Sequence, residues 1–200
     1  MENVLSAREL FYALKARLKE NKELEKEYHH NKNWTNYIKN ITEGVIGEEQ
    51  VSREYYRVDS LKSVYTDFYK EYGDVKRKYF DGKKYLSVHN WRNVYTIEYE
   101  NSAKDWTDEL VKLSHLRSEM KVIITYSEWE GGKDEYLALI EKKVAFAVEL
   151  LKNCQELALQ DKWLLVFGPC GANGQDVYDK ELAEHFVGYE MQDGRFVKID

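Results

Sequence analysis

The 200-residue chain is 43% apolar and 14% aromatic, a composition that builds a packed core and excludes a disordered polyelectrolyte. A formal charge of −6 and a pI near 5.5 exclude the global basic footprint of a protein that coats nucleic acid, although acidic metal ligands can mask a local basic groove. Two cysteines, Cys154 and Cys170, a leading MENVLSAREL without signal-peptide layout, and no apolar run near the ~20 residues that span a bilayer predict a reduced, cytoplasmic, single-domain protein without a membrane partner.

Taken in order, the chain first predicts a helix from Ser6 to about Tyr28. Ser6 and Glu9 have capping-box spacing, and Leu10, Leu14 and Leu18 recur on one face beside Phe11. Its second half, KENKELEKEYHH, is expected to project from the core. His29 and His30 read as a solvated pair, because adjacent helical residues point about 100° apart. A second helix is predicted over Trp34 to Thr42, followed by punctuation at Gly44 and Gly47.

Ser52 to Val64 predicts the first strand region, with Tyr55, Arg57 and Asp59 on one face and Tyr56 and Val58 on the other. Aspartate forms strands poorly, so Asp59 asks for an explanation; a solvated edge or an ion pair with Arg57 is the plain one. Thr66 to Lys84 is the most basic segment. It carries Lys76, Arg77, Lys78, Lys83 and Lys84 among Tyr79, Phe80 and Tyr85, and turns at Asp81–Gly82. It reads as a solvated β-ribbon or as a contact for phosphates and bases.

Val94 to Tyr126 forms the centre of the pattern: a strand, a short amphipathic helix and a nearly all-apolar strand. Alternation places Thr96, Glu98 and Glu100 on one face and Tyr95, Ile97 and Tyr99 on the other. Trp106, Leu110 and Leu113 supply the core face of the helix. A long helix follows from Asp134 to Leu159, then the apolar strand WLLVFG, suited to a sheet centre or to a parallel neighbour of MKVIITY. Pro169 is expected in a loop, PCGANGQD lacks the spacing of a phosphate cradle, and the tail predicts a hairpin turning at Asp193–Gly194. The order of elements predicts an α/β fold, a central mixed β-sheet flanked by helices on both faces.

Two adjacent glutamates at a strand end repel unless a cation or a proton offsets them. Sequential strands usually neighbour each other, so Asp59, Glu98 and Glu100 can converge as a hard-oxygen set suited to Mg²⁺ or Mn²⁺. Such an ion activates water for attack on a phosphodiester. Asn101 could add a neutral oxygen, and Lys112, about two turns into the following helix, could reach back to stabilise charge. The competing explanation is structural: these acids, with Ser102 and Asp105, cap the next helix. His115, at the end of that helix, reads as a surface residue.

Helix, strand with Asp59, strand with Glu98-x-Glu100, helix, strand: this order resembles the PD-(D/E)XK nuclease superfamily, the restriction-endonuclease-like fold with its αβββαβ core, over roughly Ile38 to Tyr126. REYYRVDSL, YTIEYENSAKDWTDELVKL and MKVIITY are similar to segments of bacterial proteins assigned to that fold. The resemblance implies a metal-binding and catalytic Asp59 and Glu98, with Glu100 where the group usually carries lysine, a Mg²⁺ or Mn²⁺ cofactor, and DNA as substrate. It also implies a further acid from the N-terminal helix, for which Glu43, Glu48 and Glu49 are candidates. No proline precedes Asp59, whose rival Asp81 sits in a turn, and Lys112 is the candidate for a migrated catalytic lysine. The alternative is an inactive member that keeps the fold as a module for a protein or nucleic-acid partner. Members of the group often act as homodimers.

Overall fold

The computed structural model describes residues 4–21, 25–28, 33–47, 51–55, 57–65, 91–102, 104–129, 132–171 and 182–200. The predicted basic segment, His29–His30, Glu48, Glu49, Asp81 and most of PCGANGQD lie outside them.

Helix α1 spans Ala7–Glu20, and its first turn is closed by the expected capping box: the Ser6 hydroxyl accepts from the Glu9 N–H while Glu9 accepts from the Ser6 N–H. The helix stops at Asn21, so the expected continuous helix to Tyr28 is corrected to α1 and a separate turn, α2, Glu25–Tyr28. Asn21 ends it by folding its side-chain amide onto the Arg17 carbonyl. Helix α3 spans Trp34–Ile46, one turn longer than predicted. Gly44 is tolerated inside it, and the stop falls at Gly47, whose φ of 79° favours glycine. Lys62 Nζ donates to the Ile46 carbonyl at 2.6 Å, neutralising the end of the helix dipole.

The predicted strand over Ser52 to Val64 is in fact a hairpin. β1, Val51–Tyr55, pairs antiparallel with β2, Val58–Tyr65, through a tight turn in which Arg57 takes a φ of 61°. The turn interrupts the expected face sharing of Tyr55, Arg57 and Asp59, and makes Asp59 the second residue of β2. β2 pairs antiparallel with β3, Trp91–Glu100. Then come α4, Trp106–Ser114, β4, Met120–Trp129, and α5, Lys133–Cys154. A 3-10 turn over Glu156–Gln160 replaces the last predicted turns of α5, because Gln155 is extended.

β5, Trp163–Gly171, lies parallel to β4, which lies parallel to β3. Pro169 is therefore a strand residue, opposite Ser127, and not a loop residue. Its position near the strand's end limits the ladder bonding that proline removes. β6, Val187–Gln192, and β7, Arg195–Lys198, form the predicted terminal hairpin, with positive φ at Asp193 and Gly194.

Among the described residues the sheet is seven-stranded and mixed, in sequence order β1 to β7. Each face buries its own core. Tyr95, Ile97, Tyr99, Met120, Val122, Ile124, Leu164 and Val166 pack under α1 and α3. Ile123, Leu165 and Phe167 pack with Trp106, Leu110 and Leu113 of α4 and Tyr136, Ile140, Val144 and Leu151 of α5. The alternation read from Tyr95 to Glu100 thus sorts β3 correctly: its aromatic face meets α1 and α3, its acidic face the α4 side. No helix among the described residues is long and apolar enough to cross a membrane.

Candidate functional site: an acidic strand end held by a lysine

β2 runs antiparallel to β3, so the start of β2 meets the end of β3. The register Ser60↔Ile97 puts Asp59 beside Glu98 on the face covered by α4. Asp59 is fixed by its side chain, which accepts the Tyr99 N–H at 2.8 Å. The carboxylate thereby answers a main-chain donor, which is why an aspartate is stable at this strand position.

Glu98 is 2% exposed, and Lys112 Nζ from α4 lies 2.7 Å from its Oε1. The same ammonium contacts Glu109 Oε2 and donates to the Arg57 carbonyl at 2.8 Å. Lys112 therefore joins α4, β3 and the β1–β2 turn through three oxygens. Burial pushes the Glu98 carboxyl far above its usual range, to about 9. Lys112 pulls it down, while Glu109 and Asp59 push it up by repulsion. Burial also opposes the charge on Lys112, but its contacts with Glu109 and Glu98 outweigh that effect and raise its pKa.

Glu100 lies on the same face, and its Oε1 accepts the Ser102 N–H at 2.7 Å. Burial raises its pKa against that hydrogen bond, with further repulsion from Glu109, Asp105 and Asp59. The capping explanation is not met by a side chain, since the N-cap of α4, Asp105, makes no capping hydrogen bond; Glu100 and Ser102 instead secure the preceding loop, with Ser102 Oγ accepting from the N–H groups of Lys104 and Asp105. Asn101 is exposed and its carbonyl accepts from the Tyr126 hydroxyl. His115 is the exposed C-cap of α4.

Asp59, Glu98, Glu100 and Lys112 are thus brought to one neighbourhood. Glu43 is not part of it. Though 1% exposed, it accepts from Ser60 Oγ at 2.9 Å on the face of α3, across the sheet from Glu98. Sequence reasoning missed Glu109, whose signal was its i,i+3 spacing from Lys112. It also missed the Arg57 carbonyl, a main-chain acceptor that no residue pattern marks.

The donor chemistry suits a hard cation, but the arrangement does not. Among the described residues no group of three or more His, Cys, Asp or Glu side chains is disposed to hold a metal ion. The lysine ammonium stands where an ion against Glu98 would stand, and Asp59 and Glu100 are turned to main-chain donors. Comparison with known proteins finds no matching family model, curated protein or solved structure.

Proposed function

We propose that the chain is a restriction-endonuclease-like domain whose acidic strand end, Asp59, Glu98, Glu100 and Lys112, is directed at nucleic-acid phosphodiesters. The observation that carries the reading is the meeting of Lys112 with Glu98 beside Asp59. A lysine from the following helix supplies a cation to the strand end where Glu100 takes the usual lysine's place. The order α3, β1, β2, β3, α4, β4, with β4 parallel to β3, is also the order expected of the αβββαβ core. In this reading the Lys112 ammonium steadies negative charge on a phosphoryl oxygen, and hydrolysis uses Mg²⁺ or Mn²⁺. The side chains as arranged do not accommodate that ion, so no step is assigned to it.

That misfit favours a second reading, an inactive member of the same fold that serves as a binding module for nucleic acid or protein. Relaxation of supercoiled plasmid with Mg²⁺ or Mn²⁺ separates the two. Hydrolysis predicts nicking by the wild type that falls by about 10²-fold in Glu98→Ala and in Lys112→Ala. Plasmid left intact by freshly folded wild type, or nicked equally by all three proteins, sinks the nuclease reading and leaves the module.

A further inference from the structure

Thr125 is 1% exposed, yet its hydroxyl has no hydrogen-bond partner among the described residues. A buried hydroxyl without a partner is costly, and valine would fill the same shape without that cost. The strand offers the contrast itself: Val122, Ile123 and Ile124 precede Thr125 as apolar β-branched residues. The position of the threonine narrows its purpose. Thr125 on β4 is paired in register with Glu100 on β3, so both side chains leave the sheet on the α4 face. Its neighbour on the other side, Phe167 of β5, offers a ring and no side-chain acceptor. Glu100 uses Oε1 for the Ser102 N–H and keeps acceptor capacity on its other oxygen.

We propose that Thr125 is a positioning residue of the acidic strand end, its hydroxyl holding the Glu100 carboxylate through one bound water. The hydroxyl donates to the water or accepts from it, and the water donates to Glu100, so each polar group gains a partner. The site then spans three adjacent strands, with Asp59 on β2, Glu98 and Glu100 on β3, and Thr125 on β4. The purpose of this positioning rests on the functional reading above, but the contact does not require hydrolysis.

The test is a stability cycle on the full chain, read by urea unfolding, in which no nucleic acid takes part. Thr125→Val is isosteric and raises the unfolded-to-folded ratio roughly fivefold in the wild-type background. In a Glu100→Ala background the same change shifts that ratio less than about twofold, because the carboxylate partner is gone. Thr125→Ser keeps the hydroxyl and retains the coupling: Glu100→Ala perturbs it as it perturbs the wild type. If Thr125→Val stabilises the protein in both backgrounds, the hydroxyl is unpartnered and the proposal falls. If it destabilises both equally, the hydroxyl serves some other group and the proposal falls as well. A negative plasmid assay leaves this result untouched, so the two failures are distinguishable.

Discussion

Lys112 meets Glu98 at 2.7 Å from a different layer of the protein, and the two ends of the contact are unequally solvated: the lysine side chain is 29% exposed, the glutamate 2%. The helix that carries Lys112 is itself held by Trp106, Leu110 and Leu113 against the sheet. The strand end and the helix therefore cannot separate without stranding a buried carboxyl.

Lys112→Met is expected to destabilise the fold by about 2 kcal/mol, below the range for breaking a fully buried ion pair, because Glu98 already carries its proton below about pH 9 and the lysine is part-solvated. The glutamate's burial makes the cycle informative. In a Glu98→Gln background, the same lysine substitution should cost less than half as much. Urea midpoints of the four proteins check this; equal costs in both backgrounds would show that Glu109 and the Arg57 carbonyl, not Glu98, hold the lysine.

Stability should also fall as pH rises, through Glu98. Its folded-state pKa is raised by burial to about 9 from the ordinary carboxyl value of 4.5, so between those values the folded state binds more protons than the unfolded state. The contribution is complete below the unfolded value and is lost progressively as pH approaches the folded one. Urea unfolding from pH 5 to 9 should show a downward slope that flattens in Glu98→Gln. The same slope in both proteins would assign the dependence to other groups.

Much of this arrangement was legible in the residue pattern, and the exceptions have physical causes. The capping box at Ser6, the sorting of Tyr95 to Glu100 between two faces, the parallel pairing of β4 with β5 and the hairpin at Asp193–Gly194 all follow from local periodicity and turn chemistry. The β1–β2 turn was not legible. It places an arginine at positive φ, where glycine or asparagine would have announced it, so one long strand was read in place of two. Pro169 failed for a related reason: it carries a loop signal, but the parallel ladder extends to the strand's end around it. At the site, spacing could place Asp59, Glu98 and Lys112 near one another. Which oxygens each would engage depends on backbone donors and on Arg57, which spacing does not encode.

Gly188 offers a packing test away from the strand end. A Cβ added there would lie 2.7 Å from Cδ2 of the Phe11 ring, a rigid group on α1. Gly188→Ala must push α1 off the sheet or distort β6, at a cost of about 1–3 kcal/mol. Paired replacement with Phe11→Leu should recover part of the loss by making room. Thermal melts decide the point: full stability in Gly188→Ala alone would mean that α1 yields freely and that this contact does not fix it.

Arg57 carries the opposite expectation. Its φ of 61° places an L-residue with a long side chain in the left-handed region, at roughly 1 kcal/mol or more against a residue suited to it. Asparagine tolerates that conformation, so Arg57→Asn should stabilise the hairpin by roughly 0.5 kcal/mol. The contact to Lys112 is made by the main-chain carbonyl and survives the exchange. Lys112→Met should therefore cost the same in Arg57→Asn as in the wild type. Urea unfolding gives the sign. Destabilisation by Arg57→Asn would show instead that the guanidinium is used within the fold.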